Sequence, residues 1–142
     1  MTADDVIAAL DLVPHPEGGN YRQTWVAEAA SGQRPSGTAI FYLLQAGERS
    51  HWHRVDAAEI WLFHAGAPLT LRCSATDAGP AQSLLLGPDL EVGQSPQILI
   101  PPTHWQSAES LGDWTLVSCT VSPGFRFEGF ILAAPEFDIP GT

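Results

Sequence analysis

Short apolar runs, each closed by a turn signal, recur along most of this chain and constrain its fold more than any other feature. They are Tyr21–Ala27, Gly37–Gln45, Ser50–Arg54, Glu59–His64, Leu69–Cys73, Ser83–Leu86, Gln97–Ile100, Thr115–Val121 and Arg126–Ala133. Gly47, Gly66-Ala67-Pro68, Asp77-Ala78-Gly79-Pro80, Gly87-Pro88-Asp89, Pro101-Pro102 and Gly112-Asp113 punctuate them. So many short strands predict an all-β sandwich, jelly roll or small barrel, the architectures that hide strand edges. Gly37–Gln45 is apolar nearly throughout, which suits a strand buried on both faces. Ahead of the strands, residues 3–12 predict one short helix. Thr2 is placed to cap it, Asp4 and Asp5 sit where the helix dipole favours anions, and Val6, Ile7 and Leu10 form an apolar stripe. Pro14 stops it, and His15-Pro16-Glu17-Gly18-Gly19 reads as a loop.

The 142 residues suit a single domain over 1–142, with the helix at about 3–12 and the strands within about 20–133. Sixteen acidic residues face six basic ones, all Arg, for a formal net charge of −10. That balance lacks the basic stripe that a phosphate backbone requires and disfavours anionic lipid, so nucleic-acid and membrane partners are not expected. No apolar run approaches the ~20 residues of a membrane-spanning helix. The N-terminal stretch carries acids where an export signal carries Lys or Arg. A cytoplasmic protein is the expectation, with Cys73 and Cys119 as buried thiols rather than a disulfide.

His51-Trp52-His53 is the sharpest local signal. On a regular strand, residues i and i+2 share a face, so both imidazoles would point one way and Trp52 the other. Glu59, Trp61 and Phe63 form a same-face series on the next strand. If both faces line a barrel interior, two His and one carboxylate converge beside aromatic walls. That donor set suits one divalent ion: zinc, nickel, manganese or iron. No phosphate-cradling glycine loop, nucleophile elbow or H-E-x-x-H stretch occurs, and no nucleotide cofactor is expected.

The spacing His51-x-His53, then Glu59, then Gly66 resembles the first motif of the cupin superfamily. Pro101-Pro102-Thr103-His104-Trp105-Gln106 is similar to the second, with Thr103 in place of its turn glycine and Gln106 where its histidine ligand stands. The resemblance implies a metal set of His51, His53, Glu59 and Gln106, weakened because an amide is a poor ligand for borderline metals. His104 has the same parity as Gln106 and is its competitor for the inward position. A longer resemblance runs through HPEGGNYRQTW (15–25), SGTAIFYLL (36–44), SHWHRVDAAEIWLFHAG (50–66) and PGFRFEGFILA (123–133). These four stretches, in this order, are similar to the small single-domain cupins of cupin family five. The family implies an all-β, RmlC-like jelly-roll barrel and a homodimer, for which the apolar Ile60/Leu62 face is the physical hint. It implies no general reaction, since fold likeness does not carry function.

The residues themselves leave three readings. In the first, the barrel holds a small polar, sugar-like ligand and works as an isomerase or epimerase. His53 is then the base, Glu59 its partner or acid, and Tyr21 or Tyr42 the opposing acid. Glu17, Arg22, Tyr42, Trp61, Phe63 and Gln106 are the expected ligand contacts. Against these stand plainer roles: glycine-permitted turns at Gly18 and Gly19, and a surface ion pair for Arg22. In the second reading the same pocket binds a metabolite without turning it over. In the third it is a metal-dependent oxygenase.

Overall fold

The computed structural model describes residues 1–141; the final residue of the expected domain, Thr142, lies outside the described residues. Helix α1 (Ala3–Leu10) starts where Thr2 and Asp5 cap one another's backbone N–H groups, and it ends with Asp11 in the left-handed region at φ 57°. The expected helix ran two residues further. Its end instead turns the buried Leu12 inward and feeds a two-residue strand, β1 (Val13–Pro14).

Ten further strands follow: β2 (Asn20–Val26), β3 (Thr38–Gln45), β4 (Ser50–Val55), β5 (Ala58–Gly66), β6 (Leu69–Ser74), β7 (Gln82–Leu86), β8 (Gln97–Ile100), β9 (Trp105–Ser110), β10 (Trp114–Ser122) and β11 (Phe130–Leu132). They form two antiparallel sheets. One has the order β1-β2-β3-β10-β5-β8, the other β11-β4-β9-β6-β7. The expected all-β jelly roll with a leading helix is therefore the observed fold. Strand β9 had no counterpart among the expected strands, yet it is central to its sheet.

Inward side chains of both sheets meet in one apolar cluster built on Tyr42, Leu44, Trp61, Leu69, Leu71, Leu86, Ile100 and Val117. Outside the larger sheet, α1 lays Ala3 and Val6 over Leu43, which is why β3 is buried on both faces at that end. Ile60 and Leu62 lie on this outer face, half-buried. Outside the smaller sheet, the C-terminal segment packs Phe137 and Ile139 on Trp52 and Trp105. Both cysteines are free thiols, Cys119 buried and Cys73 half-buried. Among the described residues no helix is long and apolar enough to cross a membrane.

Candidate functional site

At one end the two sheets stop short of closing on each other, leaving a cavity of about 130 Å³. The loop before β2 brings His15 and Glu17 to it, β2 brings Tyr21, and β4 brings His53 and Val55. Glu59 of β5 and Cys119 and Val121 of β10 also line it, and Phe125 and Phe127 wall it from the segment after β10. The loop needs both its glycines. Gly18 and Gly19 have φ of 113° and 74°, and a Cβ on Gly18 would sit 2.0 Å from the Arg49 carbonyl oxygen. This tight path carries Glu17 to the cavity wall.

His53 is 2% exposed, and its Nδ1 lies 2.8 Å from the His51 carbonyl oxygen. A carbonyl only accepts, so Nδ1 carries the hydrogen and Nε2 holds a lone pair with no partner among the described residues. His15 has the opposite tautomer: its Nδ1 accepts the Glu17 backbone N–H at 3.1 Å, which leaves the proton on Nε2. Glu17 accepts from the Ser50 and Tyr42 hydroxyls, and its Oε2 lies 3.5 Å from His53 Nδ1. Glu59 accepts from Gln106 Nε2 at 2.8 Å, and Gln106 Oε1 accepts from Trp61 Nε1 at 2.8 Å. The amide of Gln106 is thereby oriented, and it holds the carboxylate of Glu59 in place.

Burial dominates the protonation of all four groups. It pushes Glu17 from 4.5 up to about 7, against the Ser50 and Tyr42 hydrogen bonds. It pushes Glu59 up to about 7 as well; attraction to His53 resists this and the neighbouring charge of Glu17 adds to it. His53 is lowered by burial despite the pull of Glu59, and His15 falls to about 4 through burial and then the nearness of His53. At neutral pH both imidazoles are uncharged, and each carboxyl group is poised between its two forms.

Several expected site residues lie elsewhere. His51 is turned out of the barrel, with Nε2 2.8 Å from the Ala134 carbonyl oxygen. The reason is a β-bulge: Ser50 pairs with Ala108 and His53 with Gln106, so two residues of β4 oppose one of β9. Ser50, rather than His51, shares the inward face with His53. Trp61 belongs to the apolar cluster and Phe63 packs against it, so both lie deeper than the cavity lining. Arg22 is exposed and donates to the Leu10 carbonyl oxygen at 2.6 Å, closing the end of α1. Tyr42 is buried behind Glu17, and only its hydroxyl reaches the site. Gln106 faces inward while His104 stands at the strand entrance, its Nδ1 3.8 Å from Cys73 Sγ.

The expected metal set therefore does not fit. His51 points away, the oxygen of Gln106 is committed to Trp61, and only His53 and Glu59 remain. Among the described residues no three His, Cys, Asp or Glu side chains converge in a metal-holding group. His15, Cys119, Phe125 and Phe127 are site residues that the strand pattern passed over. His15 stands in the HPEGG stretch, and Phe125 and Phe127 alternate in PGFRF, which were the signals available.

Comparison with known proteins places this geometry. A family profile described as "Cupin superfamily (DUF985)" matches residues 4–133. A crystal structure of a Shewanella oneidensis protein is 40% identical, with a TM-score of 0.88 over 94% of this chain and 85% of that one. A hypothetical protein from Leishmania major is 30% identical, with a TM-score of 0.86 over 94% and 88%. Oxalate decarboxylase from Bacillus subtilis, 15% identical with a TM-score of 0.63 over 84% of this chain and 29% of its own, shares the fold alone. Comparison with curated proteins finds no match. With the two-sheet barrel, the HPEGG loop and the match over residues 4–133 together, this chain belongs to the cupin superfamily, in the family described as DUF985.

Proposed function

We propose that the cavity binds a small polar molecule and that His53 and Glu59 move a proton to and from it, as in an isomerase or epimerase. One observation carries this reading: the partner-free Nε2 of a buried, neutral His53 shares the cavity with a carboxyl group that titrates near neutrality. An effective acid–base pair needs one member able to accept and one able to donate at the working pH, and these two satisfy that. For a carbonyl compound, Nε2 takes the proton from the adjacent carbon. The C–H electron pair becomes the carbon–carbon π bond of an enediol as the carbonyl π pair moves onto oxygen, to which protonated Glu59 or the Tyr21 hydroxyl donates. Delivery of that proton to the former carbonyl carbon, while the neighbouring hydroxyl gives its own proton back to the group that donated one, completes the isomerisation of a hydroxycarbonyl compound. Gln106 keeps Glu59 aimed, so it is a positioning residue rather than a catalytic one. None of these steps uses a metal ion.

The test is exchange in D2O. Hydroxycarbonyl and aminocarbonyl compounds are incubated with the protein, and the proton NMR signal beside each carbonyl is followed, with saturation transfer reporting binding. The reading expects exchange with at least one of them, lost about 10²–10⁴-fold in His53→Gln without loss of the folded state. Binding without exchange, or exchange that survives in both His53→Gln and Glu59→Gln, would leave a metabolite binder and remove the catalytic claim.

A further inference from the structure

We propose that the ligand of this cavity is a small organic cation, an amine whose ammonium group sits between Glu17 and Glu59; this rests on the reading of the cavity as a small-molecule site. The chain has no Lys and six Arg, and every Arg is committed elsewhere. Arg22 closes α1, Arg34 and Arg126 pair with Asp56, Arg49 and Arg72 pair with Asp138, and the Arg54 guanidinium lies 4.9 Å over the Trp105 ring. Among the described residues no full positive charge reaches the cavity, so a phosphate or carboxylate ligand would be desolvated there with no counter-charge to answer it. The N-terminus of α1 is already closed by Thr2 and Asp5 and packs outside the larger sheet.

The cavity also holds an excess of negative capacity. The side chains of Glu17 and Glu59 line it, the former 9% exposed and the latter residue 7% exposed, each bonded only to neutral donors. Burying two carboxyl groups without a counter-charge is costly, and a bound cation removes that cost. A second observation points to a ligand independently. His53 Nε2 is a lone pair on a 2% exposed side chain, lining the cavity with no partner among the described residues, and an N–H donor is what satisfies it. The wall suits the same guest: Phe125 and Phe127, whose rings meet edge-to-face at 85° with centroids 5.1 Å apart, line the cavity, and aromatic rings attract ammonium groups. The net charge of −10 draws cations towards the protein and repels anions. Because burial holds both carboxyl groups partly protonated near pH 7, ammonium binding should expel protons.

Matched probes separate charge from shape. Glucosamine, glucose and gluconate form one series, and ethanolamine, ethylene glycol and glycolate a second. Each is titrated at 150 mM NaCl, which screens weak attraction to the acidic surface. Binding is read at the His15 and His53 ring resonances, so that only occupants of the cavity are counted. The proposal expects the amine to bind about tenfold more tightly than its neutral counterpart, with proton release, and the anion not to bind. Glu59→Gln should erase that preference. Equal binding of amine and neutral compound, or any preference for the anion, overturns the cation and leaves the small-molecule cavity standing. Silence at both ring resonances with every probe removes the cavity reading, and the cation with it.

Discussion

The space between the two sheets has two halves that follow opposite rules. At the closed end Leu44, Leu69, Leu71, Leu86 and Val117 fill it with aliphatic side chains at most 1% exposed. At the open end β4, β5 and β10 deliver His53, Glu59 and Cys119 to a cavity. The change occurs within single strands. β5 passes from Glu59 to Trp61, and β10 from Val121 and Cys119 to Val117, two residues at a time along one face. Tyr42, Trp61 and Gln106 form the boundary, each with an apolar body and one polar atom turned to the open end. The closed half supplies stability. The open half gives some of it up to hold groups that can exchange protons.

Truncation should expose that division most strongly. Leu71→Ala, in the closed half, is expected to cost about 2–5 kcal/mol in urea unfolding, because it opens a void that close neighbours cannot fill. Ile40→Ala, on a side chain that already faces the cavity, should cost less than half as much. Equal losses would mean that the open half is packed as tightly as the other.

The pH profile comes next in size. Glu17 and Glu59 hold their protons in the folded state up to about pH 7, whereas the unfolded chain loses them near 4.5. Their contribution to stability therefore falls as pH rises through that window, by about 3 kcal/mol for one such group. His15 acts in the opposite sense. It stays neutral when folded down to about pH 4, so its contribution grows as pH rises from 4 to 6.5. His53, also lowered, has the same sign. In the overlap the two sets oppose each other and the wild-type profile should be shallow. The Glu17→Gln/Glu59→Gln double variant should instead gain stability steadily from pH 4 to 6.5 and exceed the wild type at pH 8. A double variant that loses stability over that range would break the assignment.

The smallest effect concerns the turn into β9. Thr103 adopts φ 67°, a left-handed conformation that a β-branched residue reaches only under strain, and its N–H donates to the carbonyl of Val55 on the cavity wall. Thr103→Gly should stabilise the protein by about 1 kcal/mol, read from the thermal midpoint, with the ring resonances of His53 unmoved.

Most of the strand rhythm was legible because turn residues and alternating apolar residues mark it twice over. β9 escaped because Gln106, Ser107, Ala108, Glu109 and Ser110 carry little strand preference; the sheet on both sides imposes their conformation. Glu17, Tyr21, His53 and Glu59, which line the cavity, were readable as candidates from the motif stretches. The errors have separate causes. Trp61 and Phe63 were given the right face but the wrong depth, since parity sets direction and says nothing about distance from the mouth. Arg22 follows Tyr21 on a strand where only one of two neighbours can face inward. His51 was misplaced because a bulge breaks the period of two and leaves no trace in composition.

That bulge makes the chemistry of the barrel a matter of where one unpaired residue sits. Were it to migrate upstream of His51, the hydroxyl of Ser50 would leave the cavity and a second imidazole would enter, with no side chain exchanged. A strand reading Ser-His-Trp-His thus encodes two alternative interiors, one with a single base and one with a pair of metal-type donors. Descent within such a fold can therefore gain or lose an imidazole pair by slippage, while the HxH letters stay the same.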